Sequence, residues 1–489
     1  MSQFKKLASD TAIYGVSSIV GRFLNWWLVP YYSHLFLPSE YGVVTNLFSY
    51  MAFVLVILTY GMETGYFRYA SRAEDKELVY STSLVSLFAT SVGFLLVALT
   101  FSTNIAHWMG YANHPEYIRW IALIMAFDAF TSIPFAKLRI EGRPIKFATL
   151  KIVSIFTNIF LNIFFLSICP SLLAAHPDSV IRFIYSSEIG VGYVFISNLV
   201  ASALVLLLLI PDMKITWRFN KSLLREILWY SFPILLVGIA GMVNQNIDKI
   251  LLPILLPDSV QPMTQLGIYG ANYKLAVIMN MFIQAFRYAF EPFFFSQEKN
   301  EDNKRGYAHI LKYFSIFGLV IFLGISLFVD VFKSLNIIDE SYYSGLKIVP
   351  IILMANLFLG VYYTLSLWYK LTDKTRFGAY FALAGAGITL LINLLFIPTY
   401  GYMASAYAVL ISYALMMVLS YVVGQKHFPI NYPIKRIGFY FALCLVIYAI
   451  SIIVTIDSTA WSYVFDSLLF IIFLTVVGKL EYKELRQFF

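Results

Sequence analysis

The sequence predicts an all-α polytopic membrane protein with fourteen transmembrane helices. Of the 489 residues, 60% are hydrophobic and only 13% are charged, so most of the chain is suited to lipid rather than to water. Fourteen apolar runs have roughly the 18 to 25 residues that a helix needs to cross a bilayer. The predicted spans are residues 11–33, 43–62, 79–101, 117–136, 148–168, 189–211, 229–256, 266–290, 311–332, 345–369, 377–397, 402–423, 437–456 and 461–478.

The basic residues of the connecting loops support this count of spans. They fall almost entirely on alternate loops, while the opposite loops carry only Arg182 and Lys333. Because Lys and Arg are enriched in cytoplasmic loops, the alternation predicts a multi-pass protein of the cytoplasmic (inner) membrane with both termini in the cytoplasm. The net charge of +8 belongs to these loops, so we do not expect nucleic acid as a partner.

The cysteines and the short loops disfavour several classes of protein. Cys169 and Cys444 lack the spacing of a disulfide framework or of a zinc site. The sequence contains no P-loop, zinc-protease or serine-hydrolase signature, and its loops are too short to hold a soluble catalytic domain. We therefore expect no enzymatic activity, no cofactor and no metal site.

The two halves of the chain share a pattern of polar, glycine and proline residues. The matches join helices of the same orientation, so spans 1–6 and 7–12 are predicted to be parallel copies related about an axis along the membrane normal. Chance similarity is the alternative. The predicted lobes are residues 1–226 and 227–430, and residues 431–489 form an appended helix pair. The matched positions are Gly15 with Gly238, Asn25 with Asp248, Pro30 with Pro253, Tyr41-Gly42 with Tyr269-Gly270, Glu63 with Glu291 and Asn162 with Asn393.

Polar residues within two predicted helices are candidate substrate ligands. Arg22 and Asn25 share one face of the first helix, and Gln245 and Asp248 share one face of the seventh. The repeat aligns Arg22 with Gln245, and Asn25 with Asp248. A buried guanidinium needs an anion and binds phosphate bidentately, so the two faces predict a central hydrophilic cavity. The alternative is hydrogen bonding that only holds helices together.

Charges inside other spans are further candidates. Asp248 and Lys249 are adjacent, so their side chains point about 100° apart on a helix and need not pair with each other. Asp248 is a candidate proton or cation site, or a counter-ion for Arg22 or Lys274. Lys274 is a candidate ligand for a substrate phosphate, or a side chain that extends to the membrane surface. Asp128 is a lone carboxylate in the fourth span, which predicts ion coupling or pairing with an unidentified base.

A candidate gate lies where the second and eighth helices reach the cytoplasm. Glu63 is close in sequence to Arg68, and Glu291 is close to Arg287. These residues predict solvated ion pairs that close this side of the bundle, rather than a coupling site.

Several stretches carry a family resemblance. The segments WYSFPILLVGIAGMVNQNIDKILL, LGIYGANYKLA and AFRYAFEPFFF resemble the seventh and eighth helices of polysaccharide-biosynthesis flippases of the O-antigen type. LPSEYGVVTNLF, EGRPIKFA and FIPTYGYMASAYAVLISY are similar to that family in the expected order. These flippases belong to the multidrug/oligosaccharidyl-lipid/polysaccharide exporter superfamily. The resemblance covers essentially the whole chain.

The resemblance implies two six-helix lobes around a V-shaped cavity. It implies alternating access that moves a lipid-diphosphate-linked oligosaccharide from the cytoplasmic to the outer leaflet, with coupling to H⁺ or Na⁺ usual in the superfamily. The family's cationic cavity corresponds to Arg22 and Lys274 here. Membrane lipids and other glycan-assembly proteins are the implied partners.

Two alternatives stay open. An ion-coupled drug or cation antiporter of the same superfamily would favour an acidic, aromatic cavity, which Arg22 opposes. A membrane glycan polymerase or ligase, which would be an enzyme, normally carries a large outer loop that this sequence lacks.

Overall fold

The chain forms a helical structure throughout its described parts. The computed structural model describes residues 3–213, 216–296, 303–372, 374–454 and 456–485, and every regular element in these ranges is helical. The helices of the first half are α1 (Gln3–Leu35), α2 (Pro38–Thr59), α3 (Met62–Ala70), α4 (Lys76–Thr100), α5 (Ser102–Trp108), α6 (Pro115–Ile140), α7 (Pro144–Ile163), α8 (Cys169–Ala175), α9 (Gly192–Leu209) and α10 (Lys221–Leu255).

The second half continues the same pattern of long helices joined by short connections. A π-helical segment, Phe164–Ile168, joins α7 to α8 in the first half. The helices of the second half are α11 (Pro262–Leu275), α12 (Val277–Ser296), α13 (Asn303–Ser326), α14 (Val331–Ser334), α15 (Val349–Leu365), α16 (Leu367–Leu371), α17 (Arg376–Tyr400), α18 (Tyr402–His427), α19 (Ile434–Ile453) and α20 (Thr459–Leu485).

Most of the predicted spans are single long helices. Within the described ranges, twelve helical segments are long and apolar enough to cross a membrane. The other two predicted spans also lie in helices. The first is part of α1, which has 33 residues, and the eighth is divided between α11 and α12. The predicted fold class is therefore confirmed: the protein is an all-helical, multi-pass membrane protein.

The helices group into two compact units. The first unit runs to Ile254 and includes Gln261–Gly267, and the second takes Leu255–Val260 and continues from Ile268. The first unit thus contains nearly all of α10, the helix predicted to open the second lobe. The lobe boundaries drawn from the sequence repeat stay a prediction.

The most buried span of each unit occupies the same place in the predicted repeat. Pro115–Ile140 is 67% buried and Glu340–Leu371 is 83% buried, the two highest values among the twelve spans. They are the fourth and tenth predicted spans, which the repeat pairs with each other. The most buried span of each unit thus has the same position in the predicted repeat.

A matched pair of asparagines has the same role in both units. Asn162 donates to the carbonyl of Asn158 at 2.8 Å, and its Oδ1 accepts a hydrogen bond from the Tyr32 hydroxyl at 2.8 Å. Asn393 donates to the carbonyl of Thr389 at 2.7 Å, and its Oδ1 accepts from the Ser405 hydroxyl at 2.8 Å. Both side chains are fully buried and fully bonded, so each one holds its helix to a neighbour without an unpaired polar atom.

Local sequence explains where several helices begin. The helices α2, α6 and α7 each start with proline, whose fixed φ suits the first helical turn. The helix α4 follows Asp75, whose carboxylate accepts the Leu78 N–H at 2.9 Å. That N–H and the Arg218 guanidinium, 2.7 Å away, hold the pKa of Asp75 below its usual value. The cap thereby also ties the start of α4 to the segment before α10.

Candidate functional site

Arg22 and Asn25 lie together on an open face of α1. Both side chains are exposed, and their spacing of three residues puts them on the same side of the helix. The aligned residue of α10, Gln245, is exposed as well. These three polar side chains are therefore exposed on the surface of the protein, and their role as substrate ligands stays a prediction.

Asp248 differs from the other three candidates because it is buried. Only 1% of Asp248 is exposed. Its two carboxylate oxygens accept hydrogen bonds from the Lys249 Nζ, at 3.0 and 3.1 Å. The Lys249 Nζ also donates to the carbonyl of Gln245 at 2.7 Å. The prediction that neighbouring residues need not pair was wrong here. The long lysine side chain folds back along the helix to reach the carboxylate, because an unpaired charge in the low-dielectric interior costs several kcal/mol.

A chain of hydrogen bonds connects this ion pair to α2. Asn46, which is buried, donates from Nδ2 to the carbonyl of Lys249 at 3.0 Å. Its Oδ1 accepts a hydrogen bond from the Tyr111 hydroxyl at 2.8 Å. Sequence reasoning missed both residues, although an asparagine inside the second apolar span is a signal that could have been followed.

Lys274 lies beside a break in the predicted eighth span. It is half-buried in the last turn of α11, and the helix is interrupted at Ala276 before α12 begins. The carbonyl of Ala276 accepts the Met279 N–H at 3.3 Å, and the buried Asn356 of α15 also donates to it at 3.5 Å. Broken helices within a membrane expose backbone groups and frequently form binding sites. Asn356 was missed by the sequence analysis, and its signal was again a lone amide in an apolar span.

A basic residue that the sequence analysis did not identify, Lys151, influences Asp128 through its charge, although the two do not form an ion pair. The carboxylate of Asp128, half-buried on α6, interacts with the Ser202 hydroxyl on α9 and with the charge of Lys151 on α7. The Lys151 amine lies 4.2 Å from the centroid of the Phe135 ring. Lys151 was overlooked, although it is the only charged residue in the fifth predicted span.

The candidate gate residues have partners other than those expected from sequence proximity. Glu63 pairs with Arg139 at 2.7 Å rather than with Arg68. The Arg68 guanidinium stacks over the ring of Tyr230, 4.2 Å from its centroid. The reason is geometric: Glu63 and Arg68 are five residues apart on α3, so they project from different sides of the helix.

The second half of the gate is only partly described. The Arg287 guanidinium lies 4.7 Å from the centroid of the Tyr363 ring, so this arginine, like Arg68, contacts an aromatic face. The side chain of Glu291 lies outside the described residues. The gate therefore stays a prediction.

A charged cluster missed by the sequence analysis joins three helices of the second unit. Lys312 of α13 and Glu481 of α20 are each 1% exposed and form an ion pair of 2.6 Å. Tyr440 of α19 donates to the same carboxylate at 2.5 Å, and Arg436 contacts it at 3.0 Å. The signal was a carboxylate close after a predicted span, which sequence alone does not distinguish from a solvated one.

Comparison with known proteins identifies the family of the chain. A family model described as "Polysaccharide biosynthesis protein" matches residues 33–332. The chain belongs to this family. The resemblance found in the sequence is thereby confirmed, while no curated protein sequence matches the chain.

Solved structures show the same fold. The chain is similar to a lipid II flippase MurJ in an inward closed conformation, with a TM-score of 0.73 and 14% identity over 96% of this chain and 99% of that one. It is similar to an inward-facing MATE-family multidrug transporter of the MOP superfamily, with a TM-score of 0.62 and 14% identity over 85% and 94% of the two chains. The MATE multidrug transporter DinF-BH gives a TM-score of 0.61 and 17% identity over 87% and 96% of the two chains.

Proposed function

We propose that this protein is a flippase for polyprenyl-diphosphate-linked oligosaccharide. In this function it moves the lipid-linked glycan by alternating access from the inner to the outer leaflet of the cytoplasmic membrane, for cell-surface polysaccharide synthesis. Both termini lie in the cytoplasm, and the chain acts as a transporter rather than an enzyme. The observation that carries the proposal is membership of the polysaccharide biosynthesis family by a chain with a flippase-like fold.

The exposed polar groups suit the chemistry of such a substrate. A hydrated glycan diphosphate cannot pass a low-dielectric core unless protein groups replace its water. Arg22 can bind the diphosphate bidentately, and Asn25 and Gln245 can exchange hydrogen bonds with sugar hydroxyls. The polyprenyl tail stays in lipid throughout.

Lys274 is the second proposed ligand of the diphosphate. A lysine supplies a flexible point charge for phosphate, and α12 begins at Val277, three residues after Lys274, so the partial positive charge of a helix start lies close to it. The combination of a cation and a helix start within a few residues of each other supports an anion site here. The first-half counterpart, α2, has its break at Tyr60 and Gly61, at the end of the span, so this arrangement is particular to the second half.

Ion coupling is assigned to Asp128, with Asp248 as the second candidate. Asp128 interacts with the Ser202 hydroxyl and feels the charge of Lys151 without forming an ion pair with it, which supports a carboxylate that can bind H⁺ or Na⁺. Asp248 is the weaker candidate because it already holds Lys249 at close range. Transport in proteoliposomes with and without an imposed H⁺ or Na⁺ gradient measures this coupling.

The test is accumulation of the lipid-linked precursor in cells that lack the protein. Complementation with wild type should restore surface glycan, and Arg22→Ala should reduce transport by about 10- to 100-fold, because a charge-assisted bond to phosphate contributes roughly 1.5 to 3 kcal/mol. Arg182→Ala, which removes an exposed arginine from a loop on the opposite predicted side, is the matched control and should transport normally. Immunoblotting of the membrane fraction verifies equal expression.

Three other outcomes would contradict the proposal. Unchanged precursor and surface glycan, with increased sensitivity to cationic drugs, would identify a drug antiporter instead. Accumulation of unpolymerised glycan at the outer face would identify a polymerase or ligase. Wild-type transport by Arg22→Ala at equal expression would remove that residue from the substrate path.

A further inference from the structure

The first turns of α10 carry a basic and aromatic face that the proposed transport cycle does not use. A surface cavity of about 780 Å³ lies along this part of the helix. Its lining includes two cations, Lys221 and Arg225, and three large apolar side chains, Leu228, Trp229 and Phe232. We refer to these five residues as the α10 basic–aromatic face.

The helical period puts the five residues of this face on one side of α10. Lys221, Arg225 and Trp229 follow one another at intervals of four residues, and intervals of three and four connect Arg225, Leu228 and Phe232. The opposite side of the helix is packed into the protein, since Ile227 and Ser231 are fully buried. The face is therefore a surface left open by the fold.

The apolar half of the face is unusually exposed. Trp229 is 84% exposed and Phe232 is 56% exposed. Each of these side chains could bury a large apolar area against another apolar surface. Tryptophan at the end of a transmembrane helix commonly lies at the level of lipid headgroups. The exposed rings therefore favour a ligand that has an apolar part, rather than a soluble anion.

The basic half of the face retains its charge for a ligand. In the part of the chain that the structure describes, neither Lys221 nor Arg225 forms an ion pair with a carboxylate, and both are exposed. The nearby Arg218 is already paired with Asp75 at 2.7 Å. The neighbouring acid, Glu226, is next to Arg225 in sequence and so points about 100° away from it around the helix.

We propose that the α10 basic–aromatic face binds an anionic phospholipid of the cytoplasmic leaflet. Arg225 and Lys221 contact the phosphate and the anionic headgroup, while Trp229, Leu228 and Phe232 contact the glycerol region and the acyl chains. From Lys221 to Phe232 the helix rises about 16 Å at about 1.5 Å per residue, which is enough to follow a lipid from its headgroup into its acyl region. Charge and apolar surface thus occur in the order in which a lipid presents them.

The experiment uses the full-length purified protein and two lipids with identical acyl chains. Phosphatidylglycerol and phosphatidylcholine are added at equal concentration in detergent, and bound lipid is counted by native mass spectrometry. Wild type should retain phosphatidylglycerol preferentially, and Lys221→Gln/Arg225→Gln should reduce this preference about 10- to 30-fold, since each cation near a membrane surface contributes about 1 kcal/mol toward anionic lipid. Trp229→Ala should weaken retention of both lipids.

The matched control is Arg72→Gln/Lys76→Gln. It removes the same charge from two exposed residues spaced by four on the same predicted side of the membrane, but among the acidic residues Glu74, Asp75 and Glu77. Retention of phosphatidylglycerol by this control should match wild type, and an equal loss in both double variants would overturn the proposal by reducing it to general surface charge.

A competition experiment distinguishes a phospholipid from an isoprenoid diphosphate as the ligand of this face. Undecaprenyl diphosphate is added to the protein already loaded with phosphatidylglycerol. Persistence of phosphatidylglycerol at equimolar competitor supports the proposal. The assignment of a phospholipid would be overturned if the competitor displaced phosphatidylglycerol from wild type but not from Lys221→Gln/Arg225→Gln. The isoprenoid diphosphate would then be the ligand of this face. The result does not depend on whether the protein transports glycans.

Discussion

Among the described residues, a deeply buried ion pair occurs in each unit, and the two pairs are built in opposite ways. In the first unit, Asp248 and Lys249 are consecutive residues of α10, and the pair closes on a single helix. In the second unit, Lys312 and Glu481 are 169 residues apart and connect α13 to α20. Tyr440 and Arg436 of α19 join the same carboxylate, so three helices share one charged centre.

The difference separates a charge pair within one helix from a charge pair that joins helices. The bonds between Asp248 and Lys249 lie within α10, so they do not by themselves set the distance between helices. A pair between helices fixes their separation and rotation, because any displacement leaves two buried charges uncompensated. We infer that the cluster around Glu481 fastens the appended helix pair α19–α20 to α13.

The largest expected effect follows from breaking the anchoring pair. Lys312→Met or Glu481→Gln should lower the free energy of unfolding by about 3 to 5 kcal/mol, because a buried charge or polar group is left without its partner. Thermal unfolding of the purified protein in detergent measures the loss. Limited proteolysis should cut between α18 and α19 sooner in these variants.

An exposed ion pair of the same unit provides the control for that prediction. Lys333 and Asp330 form an i,i+3 pair with side chains that are 42% and 60% exposed. Lys333→Met should change stability by no more than about 1 kcal/mol, as surface pairs generally do. Equal destabilisation by Lys333→Met and Lys312→Met would refute the anchoring role.

A smaller loss of stability, which a second substitution should restore, is expected from the pair on α10. Asp248→Asn alone or Lys249→Met alone should each destabilise the protein by about 3 kcal/mol, whereas Asp248→Asn/Lys249→Met should recover most of that loss because no buried charge remains. Unfolding midpoints of the four proteins give the coupling energy. If the double variant loses as much free energy of unfolding as the two single variants together, Asp248 and Lys249 do not stabilise each other.

The smallest effect concerns the hydrogen bonds that tie this pair to α2. Tyr111→Phe removes the hydroxyl that donates to Asn46 and should cost about 1 kcal/mol, the usual net contribution of one hydrogen bond. Tyr185→Phe, in the loop between α8 and α9, provides a comparison with no such bond to α2. A loss after Tyr111→Phe as large as that after Lys312→Met would mean that α10 is anchored as firmly as α20.

The sequence analysis selected candidate site residues, but it did not predict which of them are buried or how they pair. Arg22, Asn25 and Gln245 were predicted to line a central cavity, with the Arg22 guanidinium buried, and all three side chains are exposed. Asp248 was predicted on the same face and is buried, since its own neighbour, Lys249, folds back over it. Their roles in binding stay predictions.

The sequence by itself determined the all-helical membrane fold and the approximate positions of the spans. These properties depend on hydropathy and charge within short windows, because a bilayer requires each span to satisfy its own backbone hydrogen bonds. The break at Ala276 was invisible in this signal, since an interrupted helix is as apolar as a continuous one.

Only the tertiary structure decided which charges meet. It joined Glu63 to Arg139 and Lys312 to Glu481, each across different helices. Such contacts depend on the rotation and depth of every helix relative to its neighbours, which packing sets and a linear pattern does not encode. A charge in an apolar span of the sequence predicts that a partner exists, but only the packed structure shows which residue the partner is.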